Sequence, residues 1–225
     1  MAEYLATTYA TQRTKTICAA KFPKKIEVAS YTQIRNPLKA ALTKSQFDRD
    51  GLEFLAARLE SKANTEVGYN RDEALRCAKA VRAFQETFNP KALAKYTFSA
   101  SGKAVSKSIA GVRLNVSLDA TITEAKGDVT NSGGIVLLYA FAADRSDVPG
   151  RLSAASHLIL WTLEGGQMQP LPRLCMAADL AAKSIVKATD AHQRFRERVT
   201  DSCSEVAARW NSIEPPHDYD GPDWR

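Results

Sequence analysis

Apolar residues recur every three to four positions in four parts of the chain, which is the spacing of helices that bury one side. These parts cover Asp48 to Lys62, Asn70 to Asn89, Leu152 to Leu163 and Asp190 to Trp210. Asn70 and Glu73 have the spacing of a capping box, and Asp190 is placed to cap the last helix. Asn36-Pro37 is expected to start a helical turn or to break the chain before the first of these helices.

Strand patterns lie between the second and the last helix. Apolar and polar residues alternate from Val112 to Thr123, which predicts a strand with one buried side. The unbroken apolar run from Ile135 to Phe141 predicts a central strand covered on both faces, with a turn before it at Asn131 to Gly134. Further strands are expected at Tyr96 to Ser99, between Pro170 and Asp179, where the pattern also fits a helix, and at Ile185 to Ala188.

Together these elements predict an α+β fold with a central mixed sheet flanked by helices. The expected domain covers residues 46–212, after an N-terminal extension at 1–45 and before an acidic tail at 213–225 that we expect to be frayed. The length of 225 residues, with 44% hydrophobic and 25% charged residues, suits one folded domain of this size.

The chain carries no pattern that predicts a membrane span or a secretory signal. Its longest apolar run, from Ile135 to Ala143, is about half of what a bilayer requires. The first 20 residues lack a basic stretch followed by an apolar core. We therefore expect a cytoplasmic protein without a membrane partner.

The cysteines and the common catalytic motifs exclude several functions. Cys18, Cys77, Cys175 and Cys203 are far apart and form no C-x-x-C pair, so we expect reduced, mostly buried thiols and no zinc site. The chain has no phosphate-binding, dinucleotide-binding, H-E-x-x-H or G-x-S-x-G motif, and its three histidines suggest no catalytic triad.

The whole chain has a net charge of +6 and a pI of about 9.1. Its positive charge is concentrated in one segment. The segment from Phe88 to Leu118 contains five cations and no acid, namely Lys91, Lys95, Lys103, Lys107 and Arg113. A clustered positive surface gains affinity for DNA or RNA by releasing counterions from phosphate. A solvated surface without a ligand explains the same residues equally well. Arg113 shares its side of the alternating strand with Asn115 and Ser117, so it is expected to point outward.

A second lysine cluster lies near the start of the chain, and the end of the chain is acidic. The cluster consists of Lys21, Lys24 and Lys25. It is the next candidate for contact with a polyanion if the segment from Phe88 to Leu118 is not the contact surface.

The order of helices and strands resembles the core of the PD-(D/E)XK nuclease superfamily, which implies a restriction-endonuclease-like core. In that family, an Asp near the second core strand and an acid on the third bind Mg²⁺, and a Lys two residues further on positions the attacking water. Asp119 matches the first metal position, whereas the third strand has neither acid nor Lys between Gly134 and Ala143. The acid-x-Lys triplet Glu124-Ala125-Lys126 follows too closely, because an offset of five residues along a strand places Glu124 on the opposite face from Asp119.

The resemblance leaves two interpretations of Asp119 open: a polar residue on the outer face of the alternating strand, or the remnant of a metal site. With the catalytic set incomplete, the first hypothesis is a catalytically inert nuclease-like module of bacterial or phage origin. It would contact nucleic acid or a nucleoprotein complex as an accessory subunit, without a cofactor.

Two further functions stay open. One is a protein-binding module without nucleic-acid contact, in which Tyr219 and Trp224 of the acidic tail dock onto a partner while Trp161 and Trp210 anchor the core. The other is a nuclease that holds Mg²⁺ with Asp119 and with distant carboxylates such as Glu53 or Glu60.

Overall fold

A computed structural model describes residues 1–7, 9–23, 31–43, 48–89, 96–102, 104–126, 129–139, 148–166, 168–219 and 221. Its helices are α1 (Ala2–Ala6), α2 (Ala10–Lys21), α3 (Thr32–Thr43), α4 (Arg49–Thr65), α5 (Gly68–Thr87), α6 (Val148–Leu163) and α7 (Gln193–Trp210). Its strands are β1 (Thr97–Ala100), β2 (Val105–Ile109), β3 (Val112–Val116), β4 (Ala120–Lys126), β5 (Val129–Leu138), β6 (Gln169–Asp179) and β7 (Ser184–Lys187). The predicted α+β class, with a mixed sheet and flanking helices, is confirmed.

The main sheet has five strands in the order β1-β4-β5-β6-β7. Strands β1, β4 and β5 are antiparallel neighbours, β6 runs parallel to β5, and β7 runs antiparallel to β6. Helix α6 makes the crossover between β5 and β6, as a parallel connection requires. The predicted central strand is thus β5, and the segment with a mixed helix and strand pattern forms β6.

Strand β5 begins earlier than the sequence predicts and includes the expected turn at 131–134. Its pairing with β6 shifts register between Ser132 and Gly134. A side chain on Gly133 would overlap the main-chain carbonyl of Leu174, and one on Gly134 would overlap the side chain of Leu118. These glycines therefore allow neighbouring groups to pack closely within the sheet, and they do not form a turn.

Helices α3, α4 and α5 cover one face of the sheet and form the largest core with it. Ile34 and Leu38 from α3, Phe84 from α5 and Ile122 and Ile135 from the sheet are fully buried there. Pro37 lies inside α3, so Asn36-Pro37 neither starts a helical turn nor breaks the chain, and both expectations for it are wrong. The buried stripe on α3 compensates for the one helical hydrogen bond that a proline removes.

A second layer lies on the other face of the sheet. Helix α6 packs there with α1, α7 and a separate two-stranded ribbon formed by β2 and β3. The ribbon closes through Ala110-Gly111, which both have positive φ angles (46° and 78°), as a two-residue hairpin turn requires. Ile109 and Leu114 are its buried side chains.

Several predicted details are wrong. The alternating run from Val112 to Thr123 is not one strand, because β3 belongs to the ribbon, β4 to the main sheet, and the chain turns between them at 117–119. Asn70 does not cap α5, because the helix begins at Gly68 and Val67 is its N-cap residue. Glu73 forms no capping box and instead accepts hydrogen bonds from the Tyr31 main-chain N–H and from Arg76. Asp190 does not cap α7 either, because His192 is its N-cap residue.

The four cysteines are free, as predicted, and Cys77, Cys175 and Cys203 are buried. Burial raises the pKa of Cys77 and of Cys175 to about 12, so both remain protonated thiols at neutral pH. None of the helices that the structure describes is long and apolar enough to cross a bilayer.

Candidate functional site

Asp119, the predicted first metal position, lies in the turn immediately before β4. Its main-chain N–H donates to the Ile135 carbonyl (2.8 Å), and its Oδ2 accepts a hydrogen bond from the Leu137 main-chain N–H (2.7 Å). Its Oδ1 forms an ion pair with Lys39 of α3 (3.1 Å), and its side chain is only 12% exposed. The carboxylate therefore ties the turn to β5 and to α3, and it does not lie on an outer strand face.

The described surroundings of Asp119 contain no set of side chains suited to Mg²⁺. Both carboxylate oxygens have partners, since Oδ2 accepts from the Leu137 main-chain N–H and Oδ1 is paired with the Lys39 ammonium. Within the described ranges, no three Asp, Glu, His or Cys side chains lie close enough together to hold a metal ion. Glu53 and Glu60, named above as distant partners, both bind Arg82 on α5. The Arg82 hydrogen bonds lower the pKa of Glu60.

Tyr139 follows β5 at the same end of the sheet as Asp119. Its buried hydroxyl has no hydrogen-bond partner among the described residues, and Arg35 lies 5.7 Å from the centre of its ring. Burial and, to a smaller extent, the charge of Asp119 raise the pKa of Tyr139, so its phenol is neutral at physiological pH. Glu124 lies further along β4 and forms an ion pair with Arg173 of β6, so the acid-x-Lys triplet does not meet Asp119.

The structure describes two of the five cations of the predicted nucleic-acid surface, Lys107 and Arg113. Lys91, Lys95 and Lys103 lie outside the described residues, as do Lys24 and Lys25 of the N-terminal cluster. Lys21 of that cluster donates to the main-chain carbonyl oxygens of Trp210 (2.6 Å) and Ile213 (2.8 Å), at the C-terminal end of α7. It stabilises that end of the helix.

Lys107 on β2 points toward the interior of the protein. Its ammonium donates to the Trp161 main-chain carbonyl (2.9 Å) and lies 5.5 Å from the centre of the Trp161 ring. Arg196 of α7 lies 5.8 Å from the same ring. Lys107 therefore joins the ribbon to α6. Reversing its charge would disturb this packing in addition to changing the charge of the predicted nucleic-acid surface. A charge-reversal test of the ribbon is cleaner at Arg113 alone.

Arg113 lies on the exposed side of the ribbon, as its position in the alternating pattern predicts. Four polar side chains share that side and are all exposed, and we call them the ribbon face: Ser106, Ser108, Arg113 and Asn115. The strand register places Ser106 opposite Asn115 and Ser108 opposite Arg113. The ribbon face contains no acid, and Arg113 forms no ion pair with any described residue.

The side chains of the ribbon face lie within reach of one another. The Ser106 hydroxyl donates to Asn115 Oδ1 (2.6 Å), and the Arg113 guanidinium lies 3.4 Å from the Ser106 oxygen. The longer contact is weak, so most donors of the guanidinium remain open to solvent. The amide nitrogen of Asn115 donates to no other described residue.

A groove lies at the turn of the ribbon, between the ribbon and α7. Its larger cavity of about 400 Å³ is bounded by Gly111, Val112 and Arg113 on the ribbon and by Val206 and Trp210 on α7. A second cavity of about 230 Å³ shares four of these residues and reaches toward α1 and α2. Trp210 is partly buried here beside Ile17 and Val206, in agreement with its predicted role as an anchor.

Sequence reasoning missed the ribbon as a separate element. Strand β2 was not predicted, because Lys107 takes the middle inward-facing position and leaves only Val105 and Ile109 as apolar residues of that side. The signal that was available is the pair Ala110-Gly111 between two alternating runs. Searches against known protein families, curated proteins and solved structures gave no match.

Proposed function

We propose that the protein is a catalytically inert, nuclease-like module that contacts nucleic acid, or a nucleoprotein complex, as an accessory subunit. Three antiparallel strands, a crossover helix and a parallel strand support a restriction-endonuclease-like core. Asp119 precedes the second strand of that sheet, where the resemblance puts a metal ligand. Its ion pair with Lys39 supports a structural role for this residue.

The observation that carries the nucleic-acid part of the proposal is the ribbon face. It is an exposed, acid-free surface that holds the guanidinium of Arg113, which forms no ion pair with a described residue, between hydroxyl and amide side chains. Arg, Ser and Asn are among the side chains that donate to phosphate oxygens and to base edges. The acid-free segment from Phe88 to Leu118 adds Lys91, Lys95 and Lys103 along the same part of the chain.

Reversing the charge of Arg113 is expected to weaken nucleic-acid binding. We expect Arg113→Glu to lower the affinity for a labelled 20-mer about tenfold at low salt, and to reduce the slope of log K against log salt by about one, because one phosphate contact is lost. Fluorescence anisotropy over a series of salt concentrations measures both quantities.

Arg58→Glu is the matched control for this experiment. Arg58 is an exposed arginine on α4, outside the ribbon, and its replacement changes the net charge equally. Its effect on affinity should be small. Equal losses in the two variants would show that net charge alone drives binding, and an unchanged Arg113→Glu variant would exclude the ribbon face.

A protein-binding module is the second candidate function, and one observation favours it. Helices α4 and α5 and their connection expose large apolar side chains, with Phe54 70% and Val67 84% exposed. Exposed apolar groups of this kind are common where a partner protein packs. Partner capture that is lost in Phe54→Ala and retained in Arg113→Glu would favour this function over nucleic-acid contact.

A further inference from the structure

We propose that the β2–β3 ribbon enters the major groove of duplex DNA and that Arg113 and Asn115 contact base edges there. The inference deepens the proposed function and depends on it. The major groove is about 12 Å wide and admits a two-stranded ribbon, whereas the minor groove is about half as wide. The ribbon forms a sheet of its own, and the side chains on its outward side are exposed.

The side chains of the ribbon face match the chemistry of base edges in that groove. A guanidinium donates two parallel hydrogen bonds to O6 and N7 of guanine, and a carboxamide pairs in the same way with N6 and N7 of adenine. Arg113 and Asn115 are two positions apart on β3, so they project from the same side of the ribbon. The Oδ1 atom of Asn115 accepts a hydrogen bond from Ser106, and a carbonyl oxygen retains a second lone pair for a base.

The opposite side of the ribbon holds it in place. Ile109 and Leu114 pack against residues of α6 and α7, and Lys107 binds the Trp161 carbonyl. Because the ribbon is anchored along one side, it is already ordered before a ligand binds. Its other side therefore loses little side-chain and backbone freedom on binding. Each strand has five residues, which is about 17 Å at about 3.4 Å per residue. That length corresponds to a footprint of about five base pairs.

The alternative site on this part of the molecule is the groove beside Trp210, whose aromatic ring suits an unpaired base. The two sites predict different ligands, because the ribbon face requires a duplex and the groove requires a single strand. Comparing a duplex with a single strand of the same sequence therefore separates them.

The test begins with selection of bound sequences from a pool of random duplexes by the full chain. We expect a preferred motif of about five base pairs that includes a guanine and an adenine. Arg113→Lys keeps the charge and loses the paired donors, so it should relax the preference for guanine while the affinity for random duplex changes less than threefold. Asn115→Ala should relax the preference for adenine, and Asn64→Ala, at an exposed position on α4, should change neither.

Each outcome of the selection is informative. A preferred motif that both ribbon variants retain would overturn base reading by the ribbon. Salt-sensitive duplex binding without any preferred motif would also overturn base reading by the ribbon, but it would still support the proposed function. Tighter binding of the single strand, with quenching of tryptophan emission that is lost in Trp210→Phe, would move the site to the groove. Failure of the full chain to bind either probe at low salt would end both proposals. Circular dichroism confirms folding of each variant.

Discussion

Phe84→Ala is expected to lower the free energy of unfolding by about 3–5 kcal/mol, the usual range for removing a buried phenylalanine. Phe84 of α5 is fully buried in the core that α3, α4 and α5 form with the sheet, and the centre of its ring lies 4.5 Å from that of Phe88. The truncation leaves a cavity in the largest core, which the rigid sheet cannot fill. Chemical denaturation followed by circular dichroism measures the loss.

Phe54→Ala is the matched control for this prediction. Phe54 lies on the neighbouring helix α4 and is 70% exposed, so the same substitution removes almost no buried area. We expect a change within about 0.5 kcal/mol, as for most surface positions. Similar losses at both positions would contradict the arrangement of α4 and α5 on the sheet.

Gly133→Ala is expected to destabilise the fold by about 3 kcal/mol, which is the upper end of the usual range for overpacking. A Cβ atom at this position would overlap the Leu174 carbonyl, which belongs to the main chain of the neighbouring strand. The overlap is relieved only if β5 and β6 move apart, and these are the central strands of the sheet.

Gly102→Ala provides the comparison for this substitution. A Cβ atom on Gly102 meets no atom of the described residues within 4 Å, so the variant should be as stable as the wild type. A fully stable Gly133→Ala variant would show that the register shift between Ser132 and Gly134 is wrong. Thermal melts of the two variants beside the wild type decide the matter.

The helices and the central strands could be predicted because their periodicity reflects burial on one side. Helix α4 is an example, since Leu52, Leu55 and Leu59 are buried at the spacing that the sequence shows. Strand β5 from Asn131 and strand β6 from Leu174 are buried or half-buried on both faces, which leaves an apolar run without alternation. Helices α1 and α2 show no such stripe, and α2 buries only Ile17, so the pattern of the sequence does not reveal them.

Alternation predicts which side chains share a face, but it does not predict which sheet a strand joins. Val112 to Thr123 alternates throughout, yet Leu118 packs over Gly134 and the chain turns there from the ribbon into the main sheet. For the same reason, the outward direction of Arg113 was predicted correctly while the partners of Asp119 were not. Lys39 is 80 positions away in the sequence, and no local pattern connects it with Asp119.

The central claim is that the protein contacts nucleic acid without cutting it. The most direct test incubates a labelled duplex with the wild-type chain in Mg²⁺ or Mn²⁺, follows its anisotropy, and then runs the same sample on a denaturing gel. The account predicts a salt-sensitive rise in anisotropy and an intact strand on the gel. Fragments that appear with the wild type and disappear with Asp119→Ala would contradict it, as would the absence of any rise in anisotropy at low salt.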